Sequence, residues 1–284
     1  MPQKCPFFGK MAIIPAICFS VQDAAPMSDD LRPSPRYKPA SLFVTCIIDM
    51  IYPHTGISVV EILEHLGVEV RFPLDQTCCG QPAFNSGFHD DARRVARQFL
   101  TAFADAEVIV CPSGSCASMV RHYYPELFKD DPVWRDRANW AANITWEFTE
   151  YLVDGLGVTD IGAALPPTRV AFHHACHGYR LMHLGTQAQT LAAAVEGVTV
   201  TELKGADQCC GFGGLFAVKM PEISGAMLDD KMTAINGADA DLIVTGDSSC
   251  LTQMNGGLSR QNSARRVTHI ADLLARGLPR TGGA

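Results

Sequence analysis

The residues best suited to chemistry in this chain are cysteines, and four of them come as neighbouring pairs. Cys78 and Cys79 stand in "TCCGQPAF" and Cys209 and Cys210 in "QCCGFGG", each pair followed by a glycine. A disulfide needs Cα atoms roughly 4.4–6.8 Å apart, whereas consecutive Cα atoms lie about 3.8 Å apart. The pairs are therefore expected to bind something rather than each other. Soft sulfur donors select zinc, copper(I) or iron–sulfur clusters, and four thiolates suit either a tetrahedral zinc or a cluster. Adjacent side chains reach different atoms of a polynuclear core more naturally than two corners of one small ion. Gly80 and Gly211 allow a sharp turn behind each pair. The amides of Gly211–Gly214, Gly213 among them, are placed to donate to sulfur.

The remaining cysteines fall into the same pattern twice. Cys46 precedes the first pair by 31 intervening residues, and Cys176 precedes the second by 32. "CPSGSC" at Cys111–Cys116 aligns with "TGDSSC" at Thr245–Cys250. The offsets between equivalent positions are 130, 131 and 134 residues, which marks a duplicated unit. The candidate metal ligands are thus Cys46, Cys78, Cys79, Cys111 and Cys116 in the first copy, and Cys176, Cys209, Cys210 and Cys250 in the second.

Each copy must carry these residues on alternating strands and helices. "SLFVT", "VEVRF" and "EVIV" have the composition of short strands that lead towards Cys46, Cys78 and Cys111. "SVVEILEHLG" has helical apolar spacing and a terminal glycine, and "DDARRVARQFLTAFADA" is amphipathic. In the second copy "RVAFHH", "VTVTEL" and "DLIVTG" precede Cys176, Cys209 and Cys250, with "QAQTLAAAVEG" as a helix. The reading is an α/β fold of two tandem, pseudo-repeated Rossmann-like units, with parallel sheets flanked by helices. "NWAANITWEFTEYLVDGLG" reads as a connecting helix and "ALPPT" as a linker. The expected boundaries are a flexible or mis-started tail over 1–40 and units over 41–165 and 166–284. Ligands in such folds gather beyond the C-terminal strand ends, where these cysteines fall.

Composition narrows the classes. A net charge of −7 argues against nucleic acid as a partner. No run of about 18 apolar residues suggests a transmembrane segment. An odd count of 11 cysteines in 284 residues favours reduced thiols in the cytoplasm over a disulfide framework. Lys4, Lys10 and the apolar run Met11–Val21 follow the pattern of a secretory signal. Pro15 interrupts that run and export would oxidise the thiols, so a start at Met27 or a flexible tail is expected instead. Cys5 and Cys18 in that tail receive no role. "GFGG" matches no nucleotide fingerprint. His173, His174 and His177 are expected to pack or hydrogen-bond near a strand end. No Ser–His–Asp arrangement, flavin motif or nicotinamide motif is evident.

At these residues the sequence resembles the cysteine-rich CCG domain found in one chain of heterodisulfide reductase (its B chain) and in the glycolate oxidase iron–sulfur subunit. Within that group it is similar to the lactate utilisation protein A family, through "SLFVTCIIDM", "TCCGQPAFNSG", "VIVCPSGSCASMV", "CCGFGGLFAVKMPEIS", "LIVTGDSSCL" and "RVTHIADLLARG". The resemblance runs from about Ser41 to Gly277. It implies an iron–sulfur electron-transfer subunit that works with lactate utilisation proteins B and C to oxidise L-lactate to pyruvate. It also implies [4Fe–4S]-type clusters, with a non-cubane form on the five cysteines of the first half and zinc in one half as the alternative. The reductase motif ends in CxxC where this chain has CxxxxC at Cys111 and Cys116. Thr245 stands where Cys111 does, so the second half offers one thiol fewer. Two other classes stay open: a heterodisulfide-type thiol–disulfide reductase, and a zinc-stabilised structural protein.

Overall fold

The computed structural model describes residues 32, 34–36 and 38–279. The expectations for the N-terminal tail, including Cys5 and Cys18, fall on residues outside this set.

The first half runs β1 (Ala40–Leu42), α1 (Cys46–Ile51), α2 (Pro53–His65), β2 (Val70–Arg71), α3 (Gln81–Asn85), α4 (His89–Ala102), β3 (Val108–Cys111), α5 (Gly114–Ser118), α6 (Tyr124–Leu127), α7 (Arg135–Ile144), β4 (Thr145–Glu147) and α8 (Phe148–Glu150). The second runs β5 (Ala164–His173), α9 (Cys176–Arg180), α10 (Gln187–Ala193), β6 (Glu196–Thr201), α11 (Phe216–Lys219), α12 (Pro221–Asn236), β7 (Leu242–Thr245), α13 (Ser248–Arg260), β8 (Val267–His269) and α14 (Ile270–Arg276). The two sheets have the same order, β2-β1-β3-β4 and β6-β5-β7-β8. Every strand pair is parallel. This is the duplicated α/β architecture the cysteine spacing implied.

Two readings of the sequence are corrected. "NWAANITWEFTEYLVDGLG" is not one helix. Thr145–Glu147 leaves α7, pairs with Ile109–Cys111 as the fourth strand, and the chain re-enters helix through a capping box at Glu147 and Glu150. Trp146 is buried there, so tertiary packing overrides the helical periodicity of the flanks. "ALPPT" is no linker but the first part of β5, and Ala164 pairs with Glu196.

Period-two alternation decides which side chains go where. Leu42, Val110, Trp146, Val170, Phe172 and Val244 share one core that both sheets contribute to, together with α2 and α14. The alternate residues point the other way. Phe43, Ile109 and Cys111 join a second cluster with α4, and Ala171 and Ile243 join a third with α12. Asp272 ties α14 to α2 by accepting from the Thr55 hydroxyl at 2.8 Å and the Ser58 hydroxyl at 3.0 Å. Among the described residues no helix is long and apolar enough to cross a membrane.

Candidate metal centres

Parallel strands deliver the cysteines to the C-terminal rim of each sheet. β1 ends shortly before Cys46, and Cys46 opens α1. The loop after β2 carries Cys78 and Cys79. It is clamped back onto β1 by Gln76, whose amide donates to Leu42 O at 3.1 Å and accepts from Val44 N–H at 2.9 Å. Cys111 ends β3 and Cys116 lies in α5. The thiols converge: Cys46 Sγ is 3.6 Å from Cys78 Sγ, and Cys79 Sγ is 3.5 Å from Cys116 Sγ. Cys111 is close enough to Cys116 for the latter's charge to raise its pKa.

The second half repeats the arrangement pair for pair. Cys210 Sγ lies 3.1 Å from Cys250 Sγ, matching Cys79 and Cys116. Cys209 lies close enough to Cys176 to push the latter's pKa up, matching Cys46 and Cys78. Gly80 N–H donates to Cys78 Sγ at 3.4 Å, and Gly211 N–H donates to Cys209 Sγ at 3.4 Å. Buried hydroxyls brace both turns: Tyr124 donates to Cys79 O at 3.0 Å and Ser224 to Gly211 O at 2.7 Å. Gly213 sits in the following loop, where its carbonyl accepts from Phe216 N–H at 3.2 Å. All nine described cysteines are free thiols.

Mutual hydrogen bonding and burial split the thiols electrostatically. In each half one thiol becomes acidic at the expense of its neighbours. Hydrogen bonds from Cys46 and then Cys79 draw Cys78 down to about 3, and those from Cys176 and Cys210 draw Cys209 down to about 2. Cys46 is pushed up by its bond to Cys78, and Cys176 by its bond to Cys209. Cys79 is raised through its bond to Cys116, Cys210 through its bond to Cys209, and Cys111 by burial. In Cys250 the hydrogen bond to Cys210 pulls down against burial, and the net shift is upward. The donors fit a metal or cluster: soft, convergent, partly dehydrated, and backed by amide donors.

The repeated turn geometry carries its own test. Gly80 and Gly211 have φ of +83° and +85°, the left-handed region. A Cβ on Gly80 would lie 3.4 Å from Ala92 O, but one on Gly211 would lie 2.6 Å from Ser224 O. Gly80→Ala is expected to cost about 1–2 kcal/mol from its backbone conformation alone. Gly211→Ala should cost more, because α12 must also move; urea midpoints of the two variants measure the difference.

The two halves meet through the loops that follow β3 and β7. Asp247, 1% exposed, accepts from Ser115 N–H at 2.7 Å, the Ser113 hydroxyl at 3.1 Å and Ser249 N–H at 3.0 Å. Gly114 N–H donates to Gly246 O at 3.4 Å. A Cβ on Gly114 would come within 3.1 Å of Gly178 Cα, so a larger residue there would push α5 and α9 apart by a few tenths of an ångström. His269 Nδ1 accepts from Ala271 N–H, which leaves Nε2 to donate to Pro112 O at 3.0 Å. Burial keeps that imidazole neutral by lowering its pKa. Burial likewise raises Glu147, on the edge strand beside Cys111, to about 7.

His174 and His177 behave as expected, the first beside Gln189 at 3.2 Å and the second beside Cys176 Sγ at 3.5 Å. His173 does not. It is 2% exposed, burial lowers its pKa to about 3, and it lies with Cys210 and Cys250 in a group whose donor atoms are all within 4.8 Å of one another. Lys231, 0% exposed, was not anticipated either. Its ammonium donates to Gly205 O at 2.6 Å, and burial lowers its pKa against the charges of Cys210 and Cys250. Both residues sit at positions that periodicity marks simply as core.

The cysteine-rich CCG domain matches residues 40–121 and 170–255. "Lactate utilization protein A" of Exiguobacterium sp. is 46% identical over 240 residues, 84% of this chain and 97% of that protein. "Lactate utilization protein A 2" of Bacillus cereus is 47% identical over 238 residues, 84% of this chain and 98% of that protein. Among solved structures, an aspartate racemase homologue from Pyrococcus horikoshii OT3 overlaps 84% of this chain and 96% of its own at 12% identity, with a TM-score of 0.28 that bears on neither fold nor activity. The duplicated cysteine framework and these relatives together show that the chain belongs to the lactate utilisation protein A family, built on two CCG cysteine-rich domains.

Proposed function

We propose that this protein is an iron–sulfur electron-transfer subunit of a cytoplasmic system that oxidises L-lactate to pyruvate, acting with partners of the lactate utilisation protein B and C kind. The observation that carries this reading is the convergence of matching thiol groups in both halves, each with a glycine amide donating to its first vicinal sulfur. The names of the relatives supply the lactate connection.

Cys46, Cys78, Cys79, Cys111 and Cys116 would hold one centre, and Cys176, Cys209, Cys210 and Cys250 the core of the other. Iron–sulfur clusters, when bound, would supply one-electron storage. The protein's part is to hold, shield and expose. Cys79, Cys111, Cys116, Cys210 and Cys250 are buried, whereas Cys46, Cys78, Cys176 and Cys209 are only partly so. Each thiol group therefore opens on one side. Beside Cys46 and Cys78 that opening is a surface cavity of about 260 Å³ lined also by Met50, Phe72 and Leu74. Those three are exposed by 80%, 48% and 87%. Exposed apolar side chains around a redox group suit a docking partner. Lactate itself need not bind to this chain.

Anaerobic purification followed by iron, sulfide and zinc analysis tests the reading. About four iron and four sulfide per occupied site are expected, in a brown protein that titrates reversibly. Lactate oxidation should require the partner proteins. Zinc alone without redox activity would instead assign a metal-stabilised scaffold, and disulfide-dependent turnover by the isolated chain a thiol–disulfide reductase.

A further inference from the structure

The two halves superimpose in sequence well enough to compare buried positions one by one, and three of them differ together. β1 and β5 align with Phe43 opposite His173, as their ladders with β3 and β7 show. α4 and α12 align through their buried residues: Ala92, Ala96, Phe99 and Leu100 match Ser224, Leu228, Lys231 and Met232. Cys111, the last residue of β3, matches Thr245, the last residue of β7. In the first half Phe43 and Phe99 pack edge to face at 4.8 Å, in the same cluster as Cys111. The second half has replaced that apolar pair by an imidazole and an ammonium, and has lost the fifth thiol.

Polar groups are costly in such a place unless something uses them. The first half shows that the fold is satisfied by two phenyl rings there, so packing does not demand an imidazole. Yet among the described residues neither ring nitrogen of His173 has a hydrogen-bond partner, and neither does the Thr245 hydroxyl. Buried polar atoms left without partners call for a ligand, an ion or water. The donor atoms of His173, Cys210 and Cys250 all lie within 4.8 Å of one another. Lys231, 0% exposed and donating to Gly205 O at 2.6 Å, lies within electrostatic reach of the same sulfurs.

We infer that His173 is a metal ligand of the second centre, binding the same metal assembly as Cys210 and Cys250, so that this centre is mixed imidazole–thiolate while the first is all-thiolate. The inference rests on the reading that the thiol groups hold metal. Imidazole is a neutral donor: it supplies the donor atom that Thr245 no longer provides but not the thiolate charge, so the second centre carries one negative charge fewer. The two centres are then unequal by construction.

The test uses the full-length chain, stripped of metal by a chelator under anaerobic conditions and refilled with Co²⁺. Histidine is labelled with ¹⁵N, and both the thiolate-to-cobalt charge-transfer bands and the nitrogen hyperfine coupling are recorded. Wild type should show imidazole coupling at one of its two cobalt centres. His173→Phe, which installs the residue the first half uses, should abolish that coupling and weaken Co²⁺ at that centre by at least about 100-fold, above the 10–100-fold cost of losing an outer-shell partner. His174→Ala and His177→Ala should leave the coupling intact. Absence of imidazole coupling in wild type overturns the inference without any variant having to fold. So does an unchanged spectrum and affinity in His173→Phe. Failure of wild type to take up Co²⁺, with iron, sulfide and zinc also absent from the anaerobically purified chain, overturns the metal reading itself, and is distinguished by the missing thiolate bands.

Discussion

Cys210→Ser is expected to empty the second metal centre and leave the first intact, so that total metal falls by about half; Cys79→Ser should do the reverse. Both residues are 2% exposed and each faces the thiol of a later segment, Cys250 or Cys116. A serine hydroxyl in either place is harder, and at neutral pH it stays protonated, so it neither matches the soft metal nor brings the charge. The neighbouring thiols cannot compensate, because their pKa values are pushed apart by mutual hydrogen bonds. Metal analysis after anaerobic purification measures the loss, and the visible spectrum shows which half survives. Retention of full metal by both variants would remove the ligand map.

Asp247→Ala should lower folding stability by about 3–5 kcal/mol, among the largest costs of any single change away from the thiols. Three donors converge on this carboxylate, two of them from the opposite half. Removing it takes the acceptor from the buried Ser115 amide and the part-buried Ser249 amide and leaves the Ser113 hydroxyl with only the Ser115 hydroxyl at 3.3 Å, and each buried group left unsatisfied costs about 1–3 kcal/mol. A counter-effect exists, since Asp247 also raises the pKa values of Cys176 and Cys250. Relief of that repulsion acts only where a thiolate is already present, so in the metal-free protein the lost hydrogen bonds dominate. The urea midpoint should drop with little change in slope. Asp247→Asn, which keeps one oxygen acceptor, should lose less. An alanine variant as stable as wild type would mean that the β3 and β7 loops are not held together by this residue.

Much of the architecture is legible in the residues alone. Cysteines recur at nearly constant offset, and only a duplicated unit produces that. Strand and helix alternate around them, and parallel sheets follow because such connections leave no other simple packing. The positions of Cys46, Cys78, Cys111 and their counterparts at or after strand ends then place the thiols on one rim of each sheet. Gly80 and Gly211 are visible as turn residues because a glycine after a ligand pair has few other uses.

What stays hidden lies where partners come from remote segments. Thr145–Glu147 and Val267–His269 are too short for any periodicity, and they are strands only because β3 and β7 offer unpaired edges. Asp247 looks like a helix cap, which it is, but its bonds to Ser113 and Ser115 cross more than a hundred residues of chain. His173 and Lys231 occupy core positions by pattern, and only their alignment with Phe43 and Phe99 shows them to be polar replacements, with His173 beside two thiols. Spacing alone therefore determined which thiols belong together and how many times the unit occurs. The three-dimensional contacts decided that one set has an imidazole beside its donors, because chemical identity is written residue by residue while the company a buried side chain keeps is settled by packing.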